Sequence, residues 1–190
     1  NITQVMEVLL SDGRVDPGYL HPGLGYGGVC FNKDVQCLIS DQSPDHHRIL
    51  PEAIQIADES LLISLYDTAL SYRLEPIAIL GLAYNSGVPY TEMSKGLQLA
   101  RSLLQVRETR CWDPMARPEL PEGVLSSSLE ECLTGARLAV ITTPWPEFER
   151  APWHLMAEPN VLDCWGLLGE IERDSLFYTR FGDTFRVLHV

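Results

Sequence analysis

Nothing in this sequence is basic enough to gather a nucleic acid. It has no run of Lys and Arg, and acidic residues outnumber basic ones 26 to 14, for a formal charge of -12. A polyanionic backbone would therefore be repelled, and a phosphorylated small ligand would need a local site made of backbone N–H groups and individually placed cations. Zinc spacing is missing too: Cys30, Cys37, Cys111, Cys132 and Cys164 include no CxxC pair and no Cys/His cluster. The odd count argues against a disulfide framework, and reduced thiols in the cytoplasm are the expectation. No apolar run is long enough to span a membrane. The start, NITQVMEVLL, lacks the basic and continuous apolar parts of a secretion signal. Because it opens on Asn rather than Met, the chain is expected to be part of something larger. No internal repeat or low-complexity stretch is evident, and 190 residues at 45% hydrophobic content suit one domain with an appendage, or two small ones.

The first segment, Ile2 to about Leu10, has helical spacing and is broken by Asp12 and Gly13. A glycine loop follows at Pro22 to Gly28, PGLGYGG, and Val29 to Ser40 resumes a helical pattern. Ser43 to His47 reads as a polar interruption, and Pro51 as the first-turn proline of a long connecting helix reaching about Ser71.

From Glu75 the pattern changes. The runs PIAILGLAY, ETRCWDP, ARLAVITTP and NVLDCWGLL read as strands; Ser94 to Gln105, SSLEECL and PEFERAPWHLM read as the helices between them. This alternation predicts a doubly wound parallel α/β sheet covered on both faces. Ligands bind beyond the carboxyl ends of such strands, here Gly81 to Asn85, Thr142 to Trp145 and Asp163 to Gly166. The first of these loops, GLAYNSG, is not a GxGxxG fingerprint, so no dinucleotide site is predicted in this half.

Cys30 is the most suggestive residue. It follows paired glycines and opens a helix, where free N–H groups and the positive end of the macrodipole stabilise a thiolate. Lys33 and Asp34 lie three and four residues on, on adjacent helix faces, where a carboxylate can manage protons and an ammonium can hold negative charge. The plainer reading makes Cys30 a small buried hydrophobe and Lys33 with Asp34 a surface pair. Against it stand Gly23, Gly25, Gly27 and Gly28, more glycines than a plain turn needs and more typical of close backbone approach or positive φ.

The segment Pro22 to Asp34, PGLGYGGVCFNKD, resembles the active-site pattern GxGxGG-S-C-F-P-K-D of the UDP-glucose/GDP-mannose dehydrogenase family. GLAYNSG is similar to that family's GLAFKPG, ITTPWPEF to its TEWPEF, and Val161 to Asp163 to its VLD motif, in the family's order and spacing. The resemblance implies a central helical segment over 1–73, serving as linker and dimerisation element, and a Rossmann-like UDP-binding domain over 74–190. The family's NAD-binding domain is not among these residues. It also implies that Cys30 is the nucleophile of a four-electron oxidation, in which a sugar C6 alcohol gives two hydrides in turn to two NAD molecules through a thiohemiacetal and then a thioester. Asp34 would assist proton handling, and Lys33 would lie near the cofactor. Tyr19, Tyr26 and the backbone of Gly25, Gly27 and Gly28 would line the sugar-phosphate pocket, with Phe31 and Tyr84 as walls. Arg14 aligns with an arginine that reaches the partner subunit's substrate. A UDP- or GDP-linked sugar, a homodimer through the central helix and a cytoplasmic setting complete that expectation, with neither nucleic acid nor membrane as a partner.

Several positions depart from the pattern. Asn85, Glu92 and Trp165 stand where the family has cations facing phosphate or cofactor, and each lost charge-assisted hydrogen bond is worth about 1.5 to 3 kcal/mol. Val29 and Asn32 replace a serine and a proline. These losses motivate the alternative of a noncatalytic binding or assembly module derived from the same family. A Cys/His hydrolase built on Cys30 with His46 and His47 is weaker, since a polar turn containing Pro44 commonly carries solvated histidines. His21, His154 and His189 form no ligand set. Trp112, Trp145, Trp153 and Trp165 read as core or interface residues, because no basic groove accompanies them.

Overall fold

The structure, a computed structural model, describes residues 2–15, 23–40, 45–169 and 176–182. Three helices come first: α1 (Ile2–Leu10), α2 (Val29–Ser40) and α3 (Asp45–Ser71). The bounds of α1 and α2 match the sequence pattern. Helix α3 begins six residues earlier than the pattern predicts, so Pro51 lies inside the second turn rather than at the start. The proline removes one i to i−4 hydrogen bond; further along α3, Gln36 Nε2 of α2 donates to Gln55 Oε1 at 3.0 Å.

The rest is one parallel sheet of five strands, β1 (Ile77–Leu80), β2 (Thr109–Trp112), β3 (Leu138–Ile141), β4 (Asn160–Asp163) and β5 (Phe177–Arg180), in the order β2-β1-β3-β4-β5. Helices α4 (Lys95–Leu103) and α5 (Leu129–Leu133) lie in the crossovers. Side chains alternate between the faces of a strand, yet every residue of β1 and β3 is buried, so both faces are covered, as expected of a doubly wound sheet. Fully buried residues such as Ile79, Leu80, Leu138 and Ile141 each contribute about 1.5 to 3 kcal/mol.

Both crossover helices start on serine caps. Ser94 Oγ accepts the Leu97 N–H at 3.3 Å, and Ser128 Oγ accepts the Glu131 N–H at 3.1 Å. At the start of α5 the Glu131 carboxylate reaches back to take the N–H and hydroxyl of Ser127 at 2.6 Å each, one residue before the capping Ser128.

Two sequence readings are corrected. PEFERAPWHLM is not a helix but two single 3-10 turns, Pro146–Arg150 and Trp153–Leu155. Pro152 bars the residue before it from the helical region, and Ala151 is accordingly extended, with ψ 151°. The edge strand β5 was not anticipated: it is four residues long and its Phe177 is exposed, so it lacks the apolar run of a buried strand.

The C-terminal half of α3 docks on the sheet body through Leu65 and Ala69, both within the main core. Leu24, from the middle of the glycine loop, is 2% exposed in that same core. The loop is therefore anchored to the α/β body by its one aliphatic side chain. Among the described residues no helix is long and apolar enough to cross a membrane.

Candidate functional site

Strand order reverses between β1 and β3, so the crevice where doubly wound sheets take ligands opens at the carboxyl ends of those two strands. Its floor is tightly built. Asp113, fully buried beyond the end of β2, accepts the N–H groups of Leu82 and Ala83 on Oδ2 at 2.7 and 2.9 Å and the indole N–H of Trp145 at 3.2 Å. Its Oδ1 accepts the N–H groups of Met115 and Ala116 at 2.8 and 2.7 Å. Gly96 of α4 packs against the carbonyl of Gly81 and the side chain of Thr142. The amides of Leu82, Ala83, Met115 and Ala116 are thus taken up within the protein. Asp163, at the end of β4, closes its own loop in the same way by accepting the N–H groups of Trp165, Gly166 and Leu168 at 2.9 to 3.0 Å.

Above this edge lies the glycine loop. Trp165 packs on Gly23 so closely that a Cβ there would sit 2.2 Å from the ring, and its indole N–H donates to the Thr142 carbonyl at 3.0 Å. Tyr84 lies against Gly27 and Gly28 in the same manner, with its Cβ 2.8 Å from where a Gly27 Cβ would be. Gly28 has φ +78°, a conformation side chains resist, and its N–H donates to the Glu92 carbonyl at 2.9 Å. Tyr26 N–H donates to Asp58 Oδ1 at 3.2 Å. Those bonds consume two loop amides; the amides of Gly25 and Gly27 have no acceptor among the described residues.

Cys30 follows directly, as the second residue of α2, and it is exposed. Its exposure removes the buried-hydrophobe reading. Lys33 and Asp34 are exposed and enter no ion pair among the described residues, so the surface-pair reading falls as well. Cys30 and Asp34 are one helical turn apart, on neighbouring positions of one face. Burial pushes the thiols of the sheet body up: Cys132 to about 12, with Cys111 and Cys164 also raised well above the ordinary thiol range. Cys37, exposed on α2, is the remaining accessible thiol.

The structure thus gathers Gly25, Tyr26, Gly27, Gly28 and Tyr84 into one patch, with Cys30 beside it. Phe31 is exposed at 56%, next along the helix. Arg14 stands on the segment after α1, where it holds Asp12 at 2.6 Å and keeps that carboxyl below its usual range. Tyr19 lies outside the described residues. Burial first, and then the charges of Asp58 and Glu59, raises the Tyr26 phenol, so it stays a neutral hydroxyl. Sequence reasoning missed Asp58, Lys95 and Leu24. Asp58 and Lys95 are 37 positions apart and gave no local signal.

A parallel, doubly wound sheet with a glycine loop packed on its switch-point edge, followed at once by an exposed thiol at the start of a helix, defines the class as an α/β protein of the Rossmann-like kind. Residues 1–59 match the central domain of the UDP-glucose/GDP-mannose dehydrogenase family, and residues 78–170 match its UDP binding domain. The chain belongs to that family of nucleotide-sugar dehydrogenases. A UDP-glucose 6-dehydrogenase of Haloferax volcanii is 28% identical over 154 residues, 76% of this chain and 36% of its own length. A UDP-N-acetyl-D-mannosamine dehydrogenase of Pyrococcus horikoshii is 32% identical over 161 residues, 80% and 36% of the two chains. Among solved structures, a UDP-glucose dehydrogenase of Pyrobaculum islandicum superposes with TM-score 0.75 and 25% identity, over 92% of this chain and 42% of that one. The chain therefore spans about two fifths of the length of such relatives.

Proposed function

We propose that this chain is the cysteine-bearing, nucleotide-sugar-binding portion of an NAD-dependent nucleotide-sugar 6-dehydrogenase. The observation that carries the reading is the placement of Cys30: exposed at the start of α2, directly after a positive-φ glycine, beside a loop packed on the ligand edge of the sheet. The amides of Gly25 and Gly27 offer donors to phosphate or sugar oxygens. Tyr19, Tyr26, Phe31 and Tyr84 supply the rest of the pocket, and Arg14 serves a partner copy's substrate across a homodimer.

In this reading the Cys30 thiolate adds to a C6 aldehyde, forming the S–C bond while the carbonyl pair moves onto oxygen. Cys30 stands in the first turn of α2, whose leading N–H groups have no partner within the helix. Asp34, one turn along, takes or returns the proton. At release, water adds to the thioester carbonyl, the C–S bond breaks and the sulfur leaves as thiolate. NAD, when bound, supplies a hydride acceptor, and Lys33 is the residue of this chain placed to meet its negative charge. The cytoplasmic setting belongs to the same reading.

The second reading, a noncatalytic module, is favoured by one observation. Trp165, where the family has a cation, is committed to packing on Gly23 and bonding Thr142. Turnover of the full-length gene product with UDP-glucose and NAD separates the two. The dehydrogenase reading expects acid formation that Cys30→Ser abolishes. Nucleotide-sugar binding with no oxidation in the wild type would overturn it in favour of the module.

A further inference from the structure

The glycine loop rests on a buried ion pair. Asp58 of α3 and Lys95, the first residue of α4, are 8% and 7% exposed and hydrogen-bond each other. A lysine at a helix start meets the unfavourable end of the dipole, and a buried ammonium needs a counter-charge. Asp58 supplies it with Oδ2, and its other oxygen, Oδ1, takes the Tyr26 N–H at 3.2 Å. Gly25, at φ +73°, comes down on that same oxygen so closely that a Cβ would lie 2.2 Å away. The Tyr26 ring then lies 5.9 Å from the Lys95 ammonium. One carboxylate thus ties together α3, α4 and the loop that leads into Cys30. Lys95 is consequently spent, and is not a phosphate ligand.

We propose that Asp58 and Lys95 are positioning residues, a clamp that fixes the glycine loop on the sheet and thereby sets where Cys30 stands. The proposal rests on the reading of Cys30 as nucleophile. Replacing a buried ion pair by apolar groups of similar volume often leaves stability unchanged, so a pair that served the fold alone is dispensable, whereas a pair that also holds the Tyr26 amide is not.

The test uses the 190-residue chain. Single truncations strand a buried charge and risk unfolding it, so the decisive variant is Asp58→Leu with Lys95→Met, which removes both charges together. Two quantities are read: hydrogen exchange at the Gly28 amide, whose acceptor Glu92 is untouched, and the alkylation rate of Cys30 relative to Cys37. The clamp predicts a folded double variant in which Gly28 protection drops about tenfold and the rate ratio moves about threefold or more. A folded double variant with wild-type values for either quantity overturns it. The nucleophile reading is judged separately, by the wild-type ratio alone, and equal rates there count against that reading whatever the double variant does.

Discussion

Gly96 and Gly81 meet backbone to backbone. A Cβ on Gly96 would lie 2.3 Å from the Gly81 carbonyl oxygen and 2.6 Å from the Thr142 hydroxyl oxygen. That hydroxyl already donates to Gly81 O at 2.6 Å. Gly96→Ala gains at most about 1 kcal/mol of helix propensity. Neither the Gly81 carbonyl, just past the end of β1, nor the bonded Thr142 can yield cheaply, so α4 must move off the sheet. The expected net loss is about 2 kcal/mol, read as a lower urea midpoint. An unchanged midpoint would mean that α4 does not seat this deeply.

The Glu131 carboxyl is held below its usual range, first by the Ser127 hydroxyl and then by the Ser127 N–H. A carboxyl depressed in the folded state contributes stability above its unfolded value, about 4.3, and that contribution is lost as pH falls through the folded value. Glu131→Gln should therefore have a lower urea midpoint than wild type at pH 6, and the gap should close toward pH 3. A gap of constant size would mean that the carboxylate charge has no part in the cap.

Asn85 is exposed beyond β1, and among the described residues its Oδ1 accepts only the Ser86 N–H, at 2.9 Å. Restoring the family's cation with Asn85→Lys costs little structurally. On the proposed function it should tighten UDP binding about tenfold by calorimetry, with the gain shrinking as salt rises. No gain at low salt would place the phosphates elsewhere.

Much of the fold was legible because its signals are local. Val29–Ser40 and the strands β1 to β4 follow from periodicity and apolar runs, and the serine caps of α4 and α5 sit beside the helices they start. What escaped depends on distant contacts or on single residues. Pro152 splits a segment whose apolar spacing otherwise reads as helical. The edge strand β5 has little apolar character to announce it. In the site, Cys30 and its glycines were visible as a motif, but the reasons for those glycines were not. Gly23 is required by Trp165, Gly25 by Asp58, and Gly27 and Gly28 by Tyr84, all partners at least 33 positions away. Trp165 illustrates the limit best. In the sequence it is a lost cation; in the structure it is the surface on which the loop rests.

The central claim is that the Cys30 thiol stands in a nucleotide-sugar site. The most direct measurement is its alkylation rate at pH 7 beside that of Cys37, exposed on the same helix, with and without UDP-glucose. The account predicts that Cys30 reacts faster than Cys37, as expected for a thiol at a helix start, and that UDP-glucose slows Cys30 while leaving Cys37 unchanged. Equal rates at the two thiols, unaffected by the nucleotide sugar, would contradict it.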